Sequence, residues 1–178
     1  MTNIVFNKNV VAFPSRVMAP SGSILIDPYK QYGTPYGMFI PISATGTHLI
    51  RWIRRDMKDE LPPDCLSCYS LHISNDGEVL LLEAFSIEDS IAMVQYTSDK
   101  FSMICTKREV AEAYTYLISD CKTVAEAVEF VDQHEVNGLH NPTIFFVDDW
   151  VSYAREKGYD KIFYLTEFPK KPPAPVAT

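Results

Sequence analysis

Two helix-start motifs between residues 106 and 131 constrain the fold more than any other feature of this sequence. Thr106 and Glu109 form one T-x-x-E motif, and Thr123 and Glu126 form a second. In such a capping box the threonine hydroxyl accepts a hydrogen bond from the third amide of the helix, and the glutamate bonds back to the cap amide. Apolar residues at helical spacing follow both motifs. We therefore predict two consecutive helices, which separate a strand-rich first part from a mixed ending.

The buried faces of these two helices follow from the same spacing. The first helix is expected to bury Val110, Ala113, Tyr114, Leu117 and Ile118, and the second Val124, Ala127, Val128 and Val131. A further amphipathic helix is predicted over residues 46–58, and the double proline that follows ends it.

Short β-prone runs dominate the first hundred residues. Strands are predicted at residues 10–13, 23–26, 38–42, 66–74, 78–85, 90–96 and 101–105, with a tyrosine-containing loop over residues 28–37. Asn75-Asp76-Gly77 predicts a hairpin between the strands that flank it. The last two strands are expected to form a second hairpin around residues 97–100. A helix that begins at Ser86 and reaches Tyr96 remains an alternative there.

The sequence from residue 143 to residue 166 predicts a strand, a helix and a second strand. Residues 143–147 are apolar and β-prone, Asp148 or Asp149 is expected to cap a helix through Lys157, and residues 161–166 resemble another strand. We predict an α+β fold: a mostly antiparallel meander sheet with three to four helices and this terminal strand–helix–strand. Residues 1–167 are expected to form a single globular domain, and residues 168–178 an extended proline-rich tail.

Composition excludes several classes of protein. Sixteen basic and twenty-three acidic side chains give a net charge of −7, which argues against a general nucleic-acid binder because such proteins neutralise phosphates. Apolar runs are too short to span a membrane. The N-terminal residues do not resemble a secretory signal, so we expect a cytoplasmic protein whose four cysteines are reduced.

One predicted binding site lies at the start of the helix over residues 46–58. Free amides at a helix N-terminus attract anions, and nearby basic side chains supply further donors. The predicted anion- or partner-binding residues are Thr45, Gly46, Thr47, His48, Arg51, Arg54 and Arg55. A second predicted contact surface consists of Tyr29, Tyr32 and Tyr36, although the same tyrosines could simply anchor their loop.

Two other groups of residues are candidate metal sites. Cys65 and Cys68 form a C-x-x-C with His72 nearby, but a second close cysteine pair is missing. Asp148 and Asp149 follow a strand and could hold Mg²⁺, yet aspartate there is also an ordinary helix cap. We therefore predict no metal, no cofactor and no catalytic residue.

These observations favour a non-enzymatic binding or accessory protein that acts through contacts with another protein, including as an inhibitor or regulator. The alternative is a small enzyme acting on a phosphorylated or nucleotide-like ligand, built from His48, Arg51, His72 and Asp148 or Asp149. The enzyme hypothesis predicts that these residues line one pocket. The binding hypothesis predicts that they scatter and that an apolar patch is exposed instead.

Overall fold

The computed structural model describes residues 3–14, 27–42, 46–58, 69–85, 90–135, 138–139 and 142–163. Predictions for the strand at residues 23–26, for Cys65 and Cys68, and for the tail lie outside these residues. The described strands are β1 (Ile4–Phe6), β2 (Val10–Pro14), β3 (Gly33–Thr34), β4 (Gly37–Pro41), β5 (Tyr69–Ile73), β6 (Val79–Phe85), β7 (Ser90–Tyr96), β8 (Ser102–Ile104) and β9 (Pro142–Phe146). The helices are α1 (Pro28–Tyr32), α2 (Gly46–Arg54), α3 (Arg108–Ile118), α4 (Val124–His134) and α5 (Val147–Lys157).

These strands form two antiparallel sheets. The first has the order β8-β1-β2-β9 and the second the order β3-β4-β5-β6-β7. The predicted α+β class with antiparallel pairing is confirmed. Of the meander predicted over residues 66–105, β5, β6 and β7 are consecutive neighbours in one sheet, whereas β8 belongs to the other sheet. The described residues contain five helices rather than three or four, because α1 replaces part of the predicted loop, and two sheets rather than one.

The β5–β6 hairpin forms at the predicted turn. Ile73 pairs with Val79, and the Ser74 amide donates to the Glu78 carbonyl at 2.9 Å. Gly77 has a φ of 91°, a left-handed conformation that glycine adopts without the steric cost of a side chain.

The predicted hairpin of β7 with β8 is wrong, although both strands exist. β7 pairs with β6, whereas β8 pairs with β1. Residues 97–100 cross from one sheet to the other and are held there by the β1–β2 turn: the Asn7 amide side chain donates to the Asp99 carbonyl at 2.9 Å, and the Lys8 amide donates to the Ser98 carbonyl at 3.2 Å. For residues 90–96 the strand rather than the helix is confirmed.

Three clusters of apolar side chains pack the sheets and helices against one another in layers. The central cluster joins the inner faces of the two sheets and includes Phe6 and Val11 from the first sheet and Ile40 and Leu71 from the second. A second cluster packs α3 and α4 on the outer face of the first sheet. A third packs α2 on the outer face of the second. The result is a four-layer arrangement of helices, sheet, sheet and helix, with Trp150 of α5 also in the central core.

The two capping boxes have different outcomes. In α4, Thr123 is the N-cap and accepts from the Glu126 amide at 3.2 Å, as predicted. In α3, the N-cap is Lys107 and no side chain caps the helix. Cys105 is buried below the helix, and its thiol donates to the Lys107 carbonyl at 3.1 Å. Helix α3 therefore starts one residue later than a cap at Thr106 would place it.

The buried face of α3 is also rotated from the predicted one. Ala111 and Ile118 are buried, whereas Leu117 is 54% exposed. In α4, Ala127, Val128 and Val131 are buried as predicted.

The N-cap residue of α5 differs from the predicted one. β9 runs directly into α5, so Phe146 is the N-cap, and Asp148 and Asp149 lie in the first turn instead. There they interact favourably with the positive end of the helix dipole. Gly158 ends α5 with a φ of 71°, as predicted. Residues 161–163 are not in a strand, and the rest of that predicted strand lies outside the described residues.

Candidate functional site

The residues predicted to bind an anion are divided by the fold. Gly46 starts α2 and is buried, Thr47 and Arg51 are exposed, and His48 is half-buried. Thr45 lies outside the described residues. The Arg54 guanidinium donates to the carbonyls of Lys30 at 2.8 Å, Gln31 at 2.9 Å and Gly33 at 3.2 Å. Arg54 therefore holds the C-terminal end of α1, while Arg55 is exposed at the end of α2.

The three tyrosines of the predicted contact surface all have partners within the chain. Tyr29 stacks on Tyr153 with ring centroids 4.5 Å apart. Tyr32 contacts Phe13 edge to face at 5.5 Å. The Tyr36 hydroxyl donates to Asp56 at 3.4 Å, and the Lys161 ammonium lies 5.0 Å from the Tyr36 ring centroid. These contacts fit the loop-anchor alternative.

The residues of the enzyme hypothesis do not converge in the described part of the chain. His72 is 2% exposed and stacks on Phe39 at 4.2 Å. Asp148 and Asp149 are exposed on α5, and His48 and Arg51 lie on α2. Among the described residues, no three His, Cys, Asp or Glu side chains are placed to hold a metal ion.

An apolar cleft lies between the two sheets on the side of β7 and β8. Its volume is about 560 Å³. Leu81, Val94 and Tyr96 of the second sheet form one wall, and Ile104 and one face of α3 form the other. Val94 is 55% exposed, so this part of the interior is open to solvent.

The cleft lies where an edge strand of each sheet meets helix α3. β7 and β8 are each an edge strand of their sheet, and both α3 and Ile104 of β8 lie across the cleft from the inner face of β7. The residues of α3 that line the cleft are Arg108, Ala111, Glu112, Thr115 and Tyr116. Their i, i+3, i+4, i+7, i+8 spacing places them on a single helix face. The cleft therefore follows α3 over nine residues, from 108 to 116, or roughly 12 Å.

Thr115 closes the outer edge of β8 inside this cleft. Its hydroxyl accepts from the Met103 amide at 3.0 Å and donates to the Met103 carbonyl at 3.1 Å. An unpaired strand edge otherwise offers such groups to another chain. Because both main-chain groups of Met103 are already satisfied, this wall of the cleft cannot add a strand at that residue.

The lining of the cleft includes the buried thiol of Cys105. Burial raises the pKa of the Cys105 thiol, so the thiol stays protonated near neutral pH and behaves as a small apolar group. Arg108 and Glu112 place one charge of each sign along the cleft, and Tyr116 is 82% exposed.

A second cavity of about 460 Å³ lies on the outer face of the second sheet. Tyr36, His72, Leu80, Met93, Tyr159 and Phe163 contribute to its lining. Of the described residues in the enzyme hypothesis, this cavity contains His72 alone, and the cleft contains none.

Sequence reasoning missed the cleft because no local motif marks it. Val94 and Tyr96 are two residues apart along β7, and this spacing predicts that their side chains lie on the same face of the strand. Only the assignment of β7 and β8 to different sheets shows that this face and helix α3 line a common cleft.

No protein-family model, curated protein or solved structure matches the chain. None of the helices in the described residues has both the length and the apolar character needed to cross a bilayer.

Proposed function

We propose that this protein is a non-enzymatic binding protein that recognises a protein partner through the cleft between β7 and α3. The observation that carries the proposal is an open, apolar cleft whose wall and rim expose Val94 and Tyr116. Exposed apolar surface of this kind is typical of interaction sites, and tyrosine is enriched among the residues that dominate binding energy.

The occupant that fits best is an amphipathic helix of the partner. A helix satisfies its own backbone hydrogen bonds, so it does not need the main-chain groups of Met103 that Thr115 occupies. Two turns of helix span about 11 Å, which matches the length of α3 along the cleft. Apolar side chains at positions i, i+3 or i+4, and i+7 of the partner would contact Val94 and Tyr96.

Charge favours a basic partner. The chain carries a net charge of −7, and complementary charge accelerates encounter and fixes orientation. We also propose that the exposed Thr47 and Arg51 at the start of α2 make an additional contact with an acidic group of the partner.

Carboxylates introduced into the apolar lining of the cleft provide the test. The full-length chain is immobilised and incubated with lysate of its native host, and the retained proteins are quantified by mass spectrometry. We expect a partner that the wild type retains and that Val94→Glu and Tyr116→Glu bind at least ~10-fold more weakly, because each change places a carboxylate against an apolar contact. A peptide spanning its binding segment should gain helical circular dichroism on binding.

Leu117→Glu is the matched control. Leu117 is adjacent to Tyr116 and, at 54%, as exposed as Val94, but it lies outside the cleft. Equal loss of the partner with Leu117→Glu and with the cleft variants would contradict the proposal, as would retention by all three. A peptide that binds the cleft without becoming helical would contradict the proposed occupant while leaving the site intact.

A further inference from the structure

Residues 159–163, here called the strap, cross the outer face of the second sheet after α5. The strap starts where the Tyr159 amide donates to the Ala154 carbonyl at 2.8 Å. In its middle, the Asn75 side chain donates to the Lys161 carbonyl at 3.1 Å, and the Lys161 ammonium lies 2.8 Å from a carboxylate oxygen of Asp56. Its last residue, Phe163, is 5% exposed. Side chains rather than strand pairing therefore hold this segment.

Phe163 covers a buried histidine. The Phe163 ring lies 5.2 Å from Phe39 and 5.5 Å from His72, and the rings of Phe39 and His72 stack at 4.2 Å. The Nδ1 atom of His72 is buried and has no hydrogen-bond partner among the described residues. An imidazolium has two N–H donors and a charge, and this apolar stack offers little to compensate either. The closed strap is therefore compatible with a neutral His72.

Burial lowers the pKa of His72 to about 4, and a hydrogen bond with the backbone of Met38 acts in the opposite direction. The charged and titratable side chains around it, from the neighbouring turns, α5 and the strap, are Tyr36, Asp76, Glu78, Arg155, Tyr159, Asp160 and Lys161. None of them is among the causes of the shift. A solvated histidine has a pKa of about 6.5. Between these two values the open form binds a proton that the closed form does not, so falling pH favours opening.

We propose that the strap is an acid-released element: protonation of His72 detaches Phe163 and exposes the part of the outer face of the second sheet that Phe163 covers. The ion pair of Lys161 with Asp56 does not drive this release. Its hydrogen bond with Lys161 lowers the pKa of Asp56 below the ordinary carboxyl range, so the pair stays charged throughout mildly acidic pH. The release is independent of the cleft, which lies on the opposite face of that sheet.

Limited digestion of the full-length chain with thermolysin tests the release. The rate of cleavage between Lys161 and Ile162 is divided by the rate for a free peptide of residues 156–167 at the same pH, because cleavage of a transiently open segment tracks its open population. We expect this ratio to rise roughly 20-fold from pH 7 to pH 5. The figure follows from a His72 pKa of about 4 when the strap is closed and about 6.5 when it is open. Cleavage within β1 and β2 should not rise in parallel.

Three variants test whether His72 controls the strap. His72→Leu removes the titrating group and should abolish the pH dependence. Lys161→Met should raise cleavage at both pH values and keep the same pH ratio, since its ion pair does not titrate in this range. Phe163→Ala should be cleaved at close to the rate of the free peptide at both pH values. A constant ratio in the wild type, a 20-fold rise that persists in His72→Leu, or simultaneous digestion of β1 and β2 would each overturn the proposal.

Discussion

Gly37 lies at the start of β4, directly beside the imidazole of His72. Its φ is 130°, a conformation that side chains other than glycine rarely adopt. A Cβ there would lie 2.5 Å from the Cε1 atom of His72 and 2.6 Å from the Ile73 carbonyl oxygen. The second contact is with backbone and cannot be relieved by a change of rotamer. The close stacking of His72 in the core thus depends on the absence of a side chain at residue 37.

Gly37→Ala should therefore lower the free energy of unfolding by about 2–4 kcal/mol, as backbone strain and a steric clash add. Gly158→Ala is the control, because Gly158 also has a positive φ, of 71°, but no atom of the described residues lies within 4 Å of its Cβ position. That change should cost only about 1 kcal/mol. Urea unfolding of both variants measures the difference, and equal losses would show that the contact with His72 and Ile73 does not matter.

Individual side chains also show the limits of reading function from residue type. Arg54 belongs to a basic cluster in the sequence, but its guanidinium binds three carbonyls at the end of α1. Local patterns identify a charge or a ring; they do not identify its partner 20 or more residues away. The predicted anion site therefore named the correct helix start without showing that Arg54 is already engaged.

At the scale of single elements, the two T-x-x-E motifs give a matched pair. Thr123 caps α4 through the Glu126 amide, whereas Thr106 is exposed and precedes the N-cap of α3. Thr123→Ala should reduce the free energy of unfolding by about 1 kcal/mol. Thr106→Ala should change it by less than about 0.5 kcal/mol. Thermal and chemical unfolding compare the two, and a larger loss at Thr106 would contradict the observed start of α3.

The edge of β8 depends on one hydroxyl of α3. Thr115→Val keeps the shape of the side chain but leaves the amide and carbonyl of Met103 without the bonds that this hydroxyl makes. We expect a loss of about 1–3 kcal/mol in the free energy of unfolding and increased self-association through the opened edge. Denaturation and size-exclusion chromatography measure these effects. Thr115→Ser, which retains the hydroxyl, should behave like the wild type in both, and identical behaviour of Val and Ser would refute the role of the hydroxyl.

At the scale of the whole molecule, local signals predicted most elements but not their assembly. The α+β class, the β5–β6 hairpin, β7, and α2 to α5 follow from periodicity and turn residues near each other in sequence. The division into two sheets does not, because it is determined by which apolar faces meet. Phe101, Met103 and Cys105 are buried against α3 and α4, whereas Tyr96 packs in the central cluster. The cleft results from that division and was therefore missed as well.

The side chain of Asn75 has a consequence for how the chain is made. Its amide group donates to the carbonyls of Pro35 and Lys161, so one residue joins segments 40 positions before it and 86 positions after it in sequence. During synthesis the β5–β6 turn emerges long before residue 161. This corner of the molecule therefore forms only after translation has passed that point, and until then the rings of Phe39 and His72 in the nascent chain are not covered by the strap.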